Sequence, residues 1–272
     1  MGGVINMILG EITGTDWAFI ATFFVTACAG IMAQYASHHF TKKREEEKSL
    51  KECYQNLYSP ILYEVTKYID IETVYKGDML KDKFKKETVF EGIKKHIQLN
   101  LKYAPIELIR AYDAVRRSEI YEDFKGDEEA LTKADLCFTF LEELNFLNVK
   151  LDMNYSYEEI LKYRIYYSLW IFVYEYSDFN LANNVLKHKW TFNQEEFTEE
   201  LVVEIVQLIK KDKSERVSTM KYFINNLLVR IIAEKNKDAF QPTEDLHQLL
   251  LEFIKMELNS DLVQSWNQEL KL

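Results

Sequence analysis

The segment from Trp17 to Ala36 reads WAFIATFFVTACAGIMAQYA, 20 residues without a charged side chain. A helix of about 20 apolar residues is long enough to cross the roughly 30 Å hydrocarbon core of a bilayer. Trp17 and Tyr35 stand near its two ends, where aromatic side chains favour the membrane–water interface. The sequence therefore predicts a transmembrane helix over residues 17–36.

The charges on the two sides of this segment differ. Residues 1–16 contain Glu11 and Asp16 but no Lys or Arg, whereas Lys42–Arg44 follow the segment with three positive charges. Lys and Arg accumulate in the cytoplasmic flanks of membrane helices. We therefore predict a single-pass protein of the cell membrane, with residues 1–16 outside the cell and the rest of the chain in the cytoplasm.

Three other interpretations of the segment are less favoured. A cleavable signal peptide has a basic start and a shorter apolar core. Val25–Cys28 is similar to the end of a lipoprotein signal, but the apolar run continues beyond it to Ala36. A helix buried in a soluble protein would need apolar neighbours on every side.

Small side chains recur along the predicted span. Ala18, Thr22, Thr26 and Gly30 are spaced by four residues, and Ala33 lies in an adjacent small row. Small residues at this spacing allow two membrane helices to approach closely. We predict homo-oligomerisation through these five residues, although such residues are also common in membrane helices that do not associate.

The composition after the span indicates one acidic, all-α domain. The whole chain has 8 Gly and 3 Pro in 272 residues, too few for a turn-rich β fold. Nearly all of the formal charge of −10 lies after residue 49, which makes a nucleic-acid partner unlikely, because Lys and Arg supply most affinity for phosphate. Three cysteines without a CxxC pair are typical of a reducing compartment.

Apolar periodicity predicts a helical connector over 37–59 and a domain of about eight helices over 60–272. The pattern continues through Ser59-Pro60, where Pro predicts a kink or a restarted helix. Asn180 to Phe192 is predicted to be a loop. The apolar pattern of the connector continues to Ile69. The helices predicted after it cover about 87–101, 105–121, 128–148, 156–176, 194–211, 214–236, 243–258 and 260–270.

The stretch Ile165 to Tyr174, IYYSLWIFVY, is too short to span a bilayer. A helix that is apolar on all sides belongs at the centre of a domain, so core packing is the favoured interpretation. Its aromatic side chains could instead surround a planar ligand, which makes Tyr166, Trp170 and Tyr174 the candidate ligand pocket.

No motif in the sequence indicates catalysis. The glycines form no phosphate-binding loop, and Glu244-x-x-His247 occurs once, whereas a di-iron helix bundle needs two such pairs. We predict no metal, no cofactor and no catalytic residues. The expected function is a non-enzymatic membrane sensor, effector or scaffold that binds a protein or a small signal, possible roles being bacterial immunity or stress response. The alternatives are an oligomeric pore-forming effector and a membrane-bound enzyme with a dispersed active site.

Overall fold

A computed structural model describes residues 14–74, 85–120, 128–153, 157–176, 179–212, 215, 218–219 and 222–232. All regular secondary structure in these ranges is helical, which confirms the predicted all-α class. The helices are α1 (Gly14–Cys53), α2 (Leu62–Glu72), α3 (Lys86–Leu99), α4 (Ile106–Ser118), α5 (Glu128–Lys150), α6 (Tyr157–Tyr176), α7 (Phe179–Lys187) and α8 (Glu199–Ile209), followed by the shorter segments Phe223–Leu228 and Val229–Ile232. The helices predicted over 243–258 and 260–270 lie outside the described residues.

Contacts between residues divide the chain into two units, Met1–Lys51 and Glu52–Leu272. In the first unit, the structure describes residues 14–51. These residues form the 40-residue helix α1 except for its last two residues, Glu52 and Cys53, which belong to the second unit. Among the described helices, α1 contains the one segment that is long and apolar enough to cross a membrane, and none of that segment is buried. The predicted span thus exists as a helix, and the apolar side chains whose exposure the structure describes are exposed.

The chain between α1 and α2 departs from the α-helix over two short segments. Tyr54–Tyr58 forms one π-helical turn, and the backbone N–H of Ser59 donates to the carbonyl oxygen of Tyr54, five residues earlier. A 3₁₀ turn, Ser59–Ile61, follows and contains Pro60, which has no backbone N–H to continue the α-helical pattern. The restart of the helix predicted at Ser59-Pro60 is confirmed.

Helix α6 is the central helix of the second unit. It packs against α5, α7 and α8 and also contacts α2, so that neighbours surround it. Its first turn contains Glu158 and Glu159, whose charges interact favourably with the N-terminal end of the helix dipole. Its buried residues are Ile160, Leu161, Tyr163, Arg164, Ile165, Tyr166, Tyr167, Ser168, Leu169, Trp170, Ile171, Phe172, Val173 and Tyr176.

Helices α4 and α5 form an antiparallel pair beside α6. The hydroxyl oxygens of Ser118, at the end of α4, and Thr132, near the start of α5, lie 2.9 Å apart. The predicted ranges for both helices agree with the structure to within a few residues. Leu141, Leu144 and Leu147 of α5 are buried, whereas Phe138 on the same helix is only partly buried.

The predicted loop from Asn180 to Phe192 is wrong. Residues Phe179–Lys187 form α7, and Lys189–Thr191 form a 3₁₀ turn. Buried Leu181, Ala182, Val185 and Leu186 share one side of α7 and supply a narrow apolar face. The polar pair Asn183-Asn184 separates them in the sequence, but helical spacing brings them together on α6.

Helix α8 begins later than residue 194, the predicted start. Gln194–Glu196 forms a separate 3₁₀ turn, and Asn193 accepts a hydrogen bond from the backbone N–H of Glu195. The helix begins at Glu199, where the hydroxyl of Thr198 accepts from the N–H of Leu201 at 3.2 Å. Thr198 is therefore the N-cap that fixes the start of α8.

Candidate functional site

A cavity of about 280 Å³ opens between four elements of the second unit. Helices α2, α3 and α5 supply most of its wall, and the first residue of α7 closes one side. Five of its lining side chains carry a formal charge. The lining residues are Tyr68, Glu72, Lys86, Glu87, Glu129, Ala130, Lys133 and Phe179.

The cavity lining contains a buried carboxylate. Glu72 has a side-chain exposure of 8% and accepts a hydrogen bond from the Tyr68 hydroxyl at 3.0 Å. Its second oxygen lies 3.4 Å from Nζ of Lys86, whose side chain is 48% exposed. Burial has the largest effect on the pKa of Tyr68, and the negative charge of Glu72 has the second largest. Together they raise this pKa well above its usual value. Tyr68 is therefore a neutral hydrogen-bond donor at physiological pH.

Helix α5 supplies another part of the lining. Nζ of Lys133 lies 2.5 Å from a carboxylate oxygen of Glu129 and 5.1 Å from the centroid of the Phe90 ring. Each lysine in the lining thus has a carboxylate partner. Glu87, in the first turn of α3, has no ion-pair partner among the described residues. Among the described lining residues, three carboxylates and two lysines therefore leave an excess of one negative charge.

The structure places two of the three predicted pocket residues beside this cavity. Trp170 and Tyr174 of α6 line a narrow gap with Ala130 and Phe179, the same two residues that line the cavity. The gap is too small for a water molecule. The indole N–H of Trp170 is buried and has no acceptor among the residues that the structure describes.

Tyr166 lies elsewhere, although it is on the same helix. Its hydroxyl donates to the carbonyl oxygen of Lys189 at 3.4 Å, and its ring centroid lies 5.8 Å from that of Phe197. It is a core residue under the connection between α7 and α8. The structure therefore does not bring Tyr166 together with Trp170 and Tyr174, and the use of any of the three for ligand binding stays a prediction.

The five small residues predicted to mediate self-association lie on one side of α1, and all are exposed. The hydroxyls of Thr22 and Thr26 donate to the carbonyl oxygens of Ala18 and Thr22 at 2.7 and 2.8 Å. These bonds satisfy the two hydroxyls within the helix. A Cβ added at Gly30 would meet nothing within 4 Å. The small-residue face, Ala18, Thr22, Thr26, Gly30 and Ala33, is therefore available for a close contact.

An ion cluster around Arg164 was not predicted from the sequence. Its Nε lies 2.6 Å from a carboxylate oxygen of Glu142, and its Nη1 contacts both oxygens of Glu199 at 2.5 and 2.7 Å. Burial alone would lower the pKa of Arg164, but the hydrogen bonds to Glu142 and Glu199 outweigh it and raise the pKa. Because these partners come from different helices, no local sequence signal identifies them.

A second buried network joins the connection after α7 to α2. Nζ of Lys189 donates to the Thr73 hydroxyl at 2.6 Å and lies 3.4 Å from Asp70, which also accepts from the Tyr163 hydroxyl at 2.8 Å. Burial lowers the pKa of Lys189, and the charge of Asp70 opposes that change. The network thus connects Lys189 with Asp70 and Thr73 at the end of α2 and with Tyr163 of α6.

The described ranges contain no group of three or more His, Cys, Asp or Glu side chains that could hold a metal ion. Comparisons of the chain with known protein families, with curated proteins and with solved structures gave no match.

Proposed function

We propose that the chain is a single-pass, membrane-anchored and non-enzymatic sensor, effector or scaffold, whose helical domain binds a small signal or a protein. The proposal of a membrane anchor rests on one observation, the exposure of the apolar segment of α1. Large apolar side chains along it are mostly exposed: Trp17, Phe19, Phe23, Phe24, Val25, Ile31, Met32 and Tyr35. Transfer of one such side chain out of water is worth about 1.5–3 kcal/mol, so that lipid is the favourable environment for this segment.

The proposed orientation places the helical domain in the cytoplasm and residues 1–16 outside. It is supported by the positive charges of Lys42–Arg44 on one side of the span and their absence from residues 1–16. The proposed use of the domain as a binding module is supported by the cavity that Glu72 lines. A ligand in that cavity would contact α2, α3, α5 and α7 together.

Membrane extraction tests the anchor directly. The wild-type chain is expected to stay in the membrane pellet after alkaline carbonate treatment and to leave it only with detergent. The double variant Phe24→Lys/Ile31→Lys places two charges within the span, each costing about 2.5–3.5 kcal/mol at the centre of a membrane helix, and is expected to lose membrane retention. Phe40→Lys, outside residues 17–36, is the matched control and should behave as wild type. Carbonate-soluble wild-type protein would rule out the anchor.

Protease protection tests the orientation. A C-terminal tag should survive protease added to intact spheroplasts and should be digested after lysis. Digestion of the tag in intact spheroplasts would reverse the proposed orientation and leave the anchor in place.

A pore is the second candidate function, because the small-residue face of α1 is exposed and Gly30 has open space around it. A single helix can line a channel only as an oligomer. We expect a pore to give ion leakage after overexpression that Gly30→Leu abolishes, since the larger side chain prevents close helix contact. Wild-type cells without leakage would leave the anchored sensor or scaffold as the remaining proposal.

A further inference from the structure

We infer that the cavity between α2, α3, α5 and α7 binds a small organic monocation, a primary ammonium group carried on a flat apolar body. The inference deepens the proposed function, since it names the class of small signal that the helical domain would sense. Three properties of the cavity carry it: the balance of charge in the lining, the contacts of the buried carboxylate, and the aromatic wall next to Trp170.

The charge balance favours a cation over an anion. Lys86 is paired with Glu72 and Lys133 with Glu129, so that both lysines already have a carboxylate within hydrogen-bond or ion-pair distance. Glu87 is left without an ion-pair partner among the described residues. A ligand with one positive charge neutralises the described part of the lining. An anionic ligand would instead compete with Glu72 or Glu129 for a lysine and leave a carboxylate unpaired.

Glu72 is the most buried charged residue among the described lining residues. One of its oxygens accepts a hydrogen bond from the Tyr68 hydroxyl at 3.0 Å, and this bond fixes the orientation of the carboxylate. The other oxygen has only Lys86, at the long distance of 3.4 Å. Because the Lys86 side chain is 48% exposed, it can move into water while a ligand ammonium takes its place on the carboxylate. The incoming bond joins two charged groups in a partly buried site and is therefore of the stronger kind.

The apolar body of the ligand would meet aromatic rings. Tyr68 and Phe179 line the cavity, and the ring centroid of Phe179 lies 6.1 Å from that of Trp170. Phe179 and Ala130 separate the cavity from the narrow gap beside Trp170. A flat ring packed against Phe179 would change the surroundings of the Trp170 indole. Ligand binding should therefore alter tryptophan emission.

Three probes of similar size test the ligand class. The cation is 2-phenylethylammonium, the zwitterion is phenylalanine, and the anion is 3-phenylpropionate. Calorimetric titration of the full chain in detergent should show binding of the cation, affinity for the zwitterion lower by about tenfold or more, and no binding of the anion. The same titration followed by tryptophan emission should saturate with the cation and should give no change with the anion.

Glu72→Gln tests the attachment point. The amide keeps the size of the side chain and an oxygen that can accept from Tyr68, but it removes the charge. We expect the affinity for 2-phenylethylammonium to fall by about tenfold or more. The matched control is Glu158→Gln, which removes one negative charge from an exposed position of α6 outside the lining and should bind as wild type. Thermal unfolding of both variants checks that the fold is retained.

The outcomes separate the ligand class from the proposed function. Equal affinity for the cation in wild type and Glu72→Gln, preferential binding of 3-phenylpropionate, or no binding of any probe would each overturn the inferred class. Membrane extraction and protease protection do not depend on these probes. A chain that is retained in the membrane but binds no monocation would therefore lose this inference and keep the proposed anchor.

Discussion

The guanidinium of Arg164 joins three helices, because from α6 it contacts Glu142 of α5 and Glu199 of α8. Its side chain is 5% exposed, whereas the two carboxylates are about one-third exposed. Loss of one partner from a buried ion pair costs about 3–5 kcal/mol. Since water can reach the two carboxylates, we expect a smaller loss, about 2–3 kcal/mol, for Arg164→Met.

Urea unfolding measures this loss. Arg230→Met is the control. Nε of Arg230 lies 3.3 Å from a carboxylate oxygen of Glu196, and both side chains are about 40% exposed. Exposed pairs contribute about 0–1 kcal/mol, so that this control should unfold close to wild type. Equal losses in the two variants would show that the Arg164 cluster has no special part in stability.

Cys137 and Cys53 differ in their surroundings and should differ in reactivity. Cys137 is fully buried, and burial raises its pKa to about 12, whereas Cys53 is partly buried and its pKa is raised mainly by burial and by nearby Glu52. Only the thiolate reacts with alkylating reagents. In the Cys28→Ser background at pH 8, we expect iodoacetamide to modify Cys53 slowly and Cys137 only after unfolding. Mass spectrometry of timed samples checks the order, and early modification of Cys137 would contradict its burial.

At the scale of a single element, Thr198 decides where α8 begins. Its hydroxyl accepts the N–H of Leu201, one of the N–H groups that have no partner within the helix. Replacement of a threonine N-cap by alanine costs about 1 kcal/mol. Thr198→Ala should therefore lower the free energy of unfolding by about this amount in urea titrations, while Thr198→Ser, which keeps the hydroxyl, should stay close to wild type. A loss shared by both variants would assign the effect to the threonine methyl group.

The helices that the sequence predicts well are those with a long apolar period. Helices α3 to α6 lie close to their predicted ranges, because in each of them apolar residues recur at helical spacing over three or more turns. Helix α7 was missed because it has nine residues and two adjacent asparagines. The start of α8 was misplaced because the 3₁₀ turn Gln194–Glu196 and the Thr198 cap together resemble the continuation of one helix.

None of the residues that line the cavity was singled out from the sequence as a site residue. Trp170 and Tyr174 lie on the aromatic helix that the sequence singles out, and they are close to the cavity. Glu72, Lys86 and Lys133 come from three helices and are separated by 14 residues or more along the chain. Their charges resemble those of any exposed helix face until tertiary packing brings them together. No periodicity within one helix carries that information.

Self-association belongs to the scale of the whole molecule. The small-residue face of α1 predicts an oligomer, and Gly30 is the best position to test it, because an added side chain meets no neighbour within its own chain. We expect full-length wild-type protein in detergent to be larger than a monomer by light scattering, and Gly30→Leu to be monomeric.

Gly30→Ala is the milder variant in this test. The control is Ile31→Leu, which keeps an apolar side chain of the same size beside Gly30. The control should assemble as wild type. If wild type, Gly30→Leu and the control have the same mass, the face does not mediate assembly. In that case α1 would act only as a tether.

The order in which the helices pack has a consequence for the kinetics of folding. Most of the main contacts join neighbours in the chain, α2 with α3, α4 with α5, α5 with α6 and α6 with α7, whereas α8, part of α2 and Phe223 reach α6 from further along the chain. Helical proteins dominated by local contacts close short loops and fold in microseconds to milliseconds. During synthesis, the pair α4–α5 can form before α6 leaves the ribosome. The aromatic surface of α6 is then covered from one side at once, and the rest of it is covered after α8 and the segment that contains Phe223 have been made.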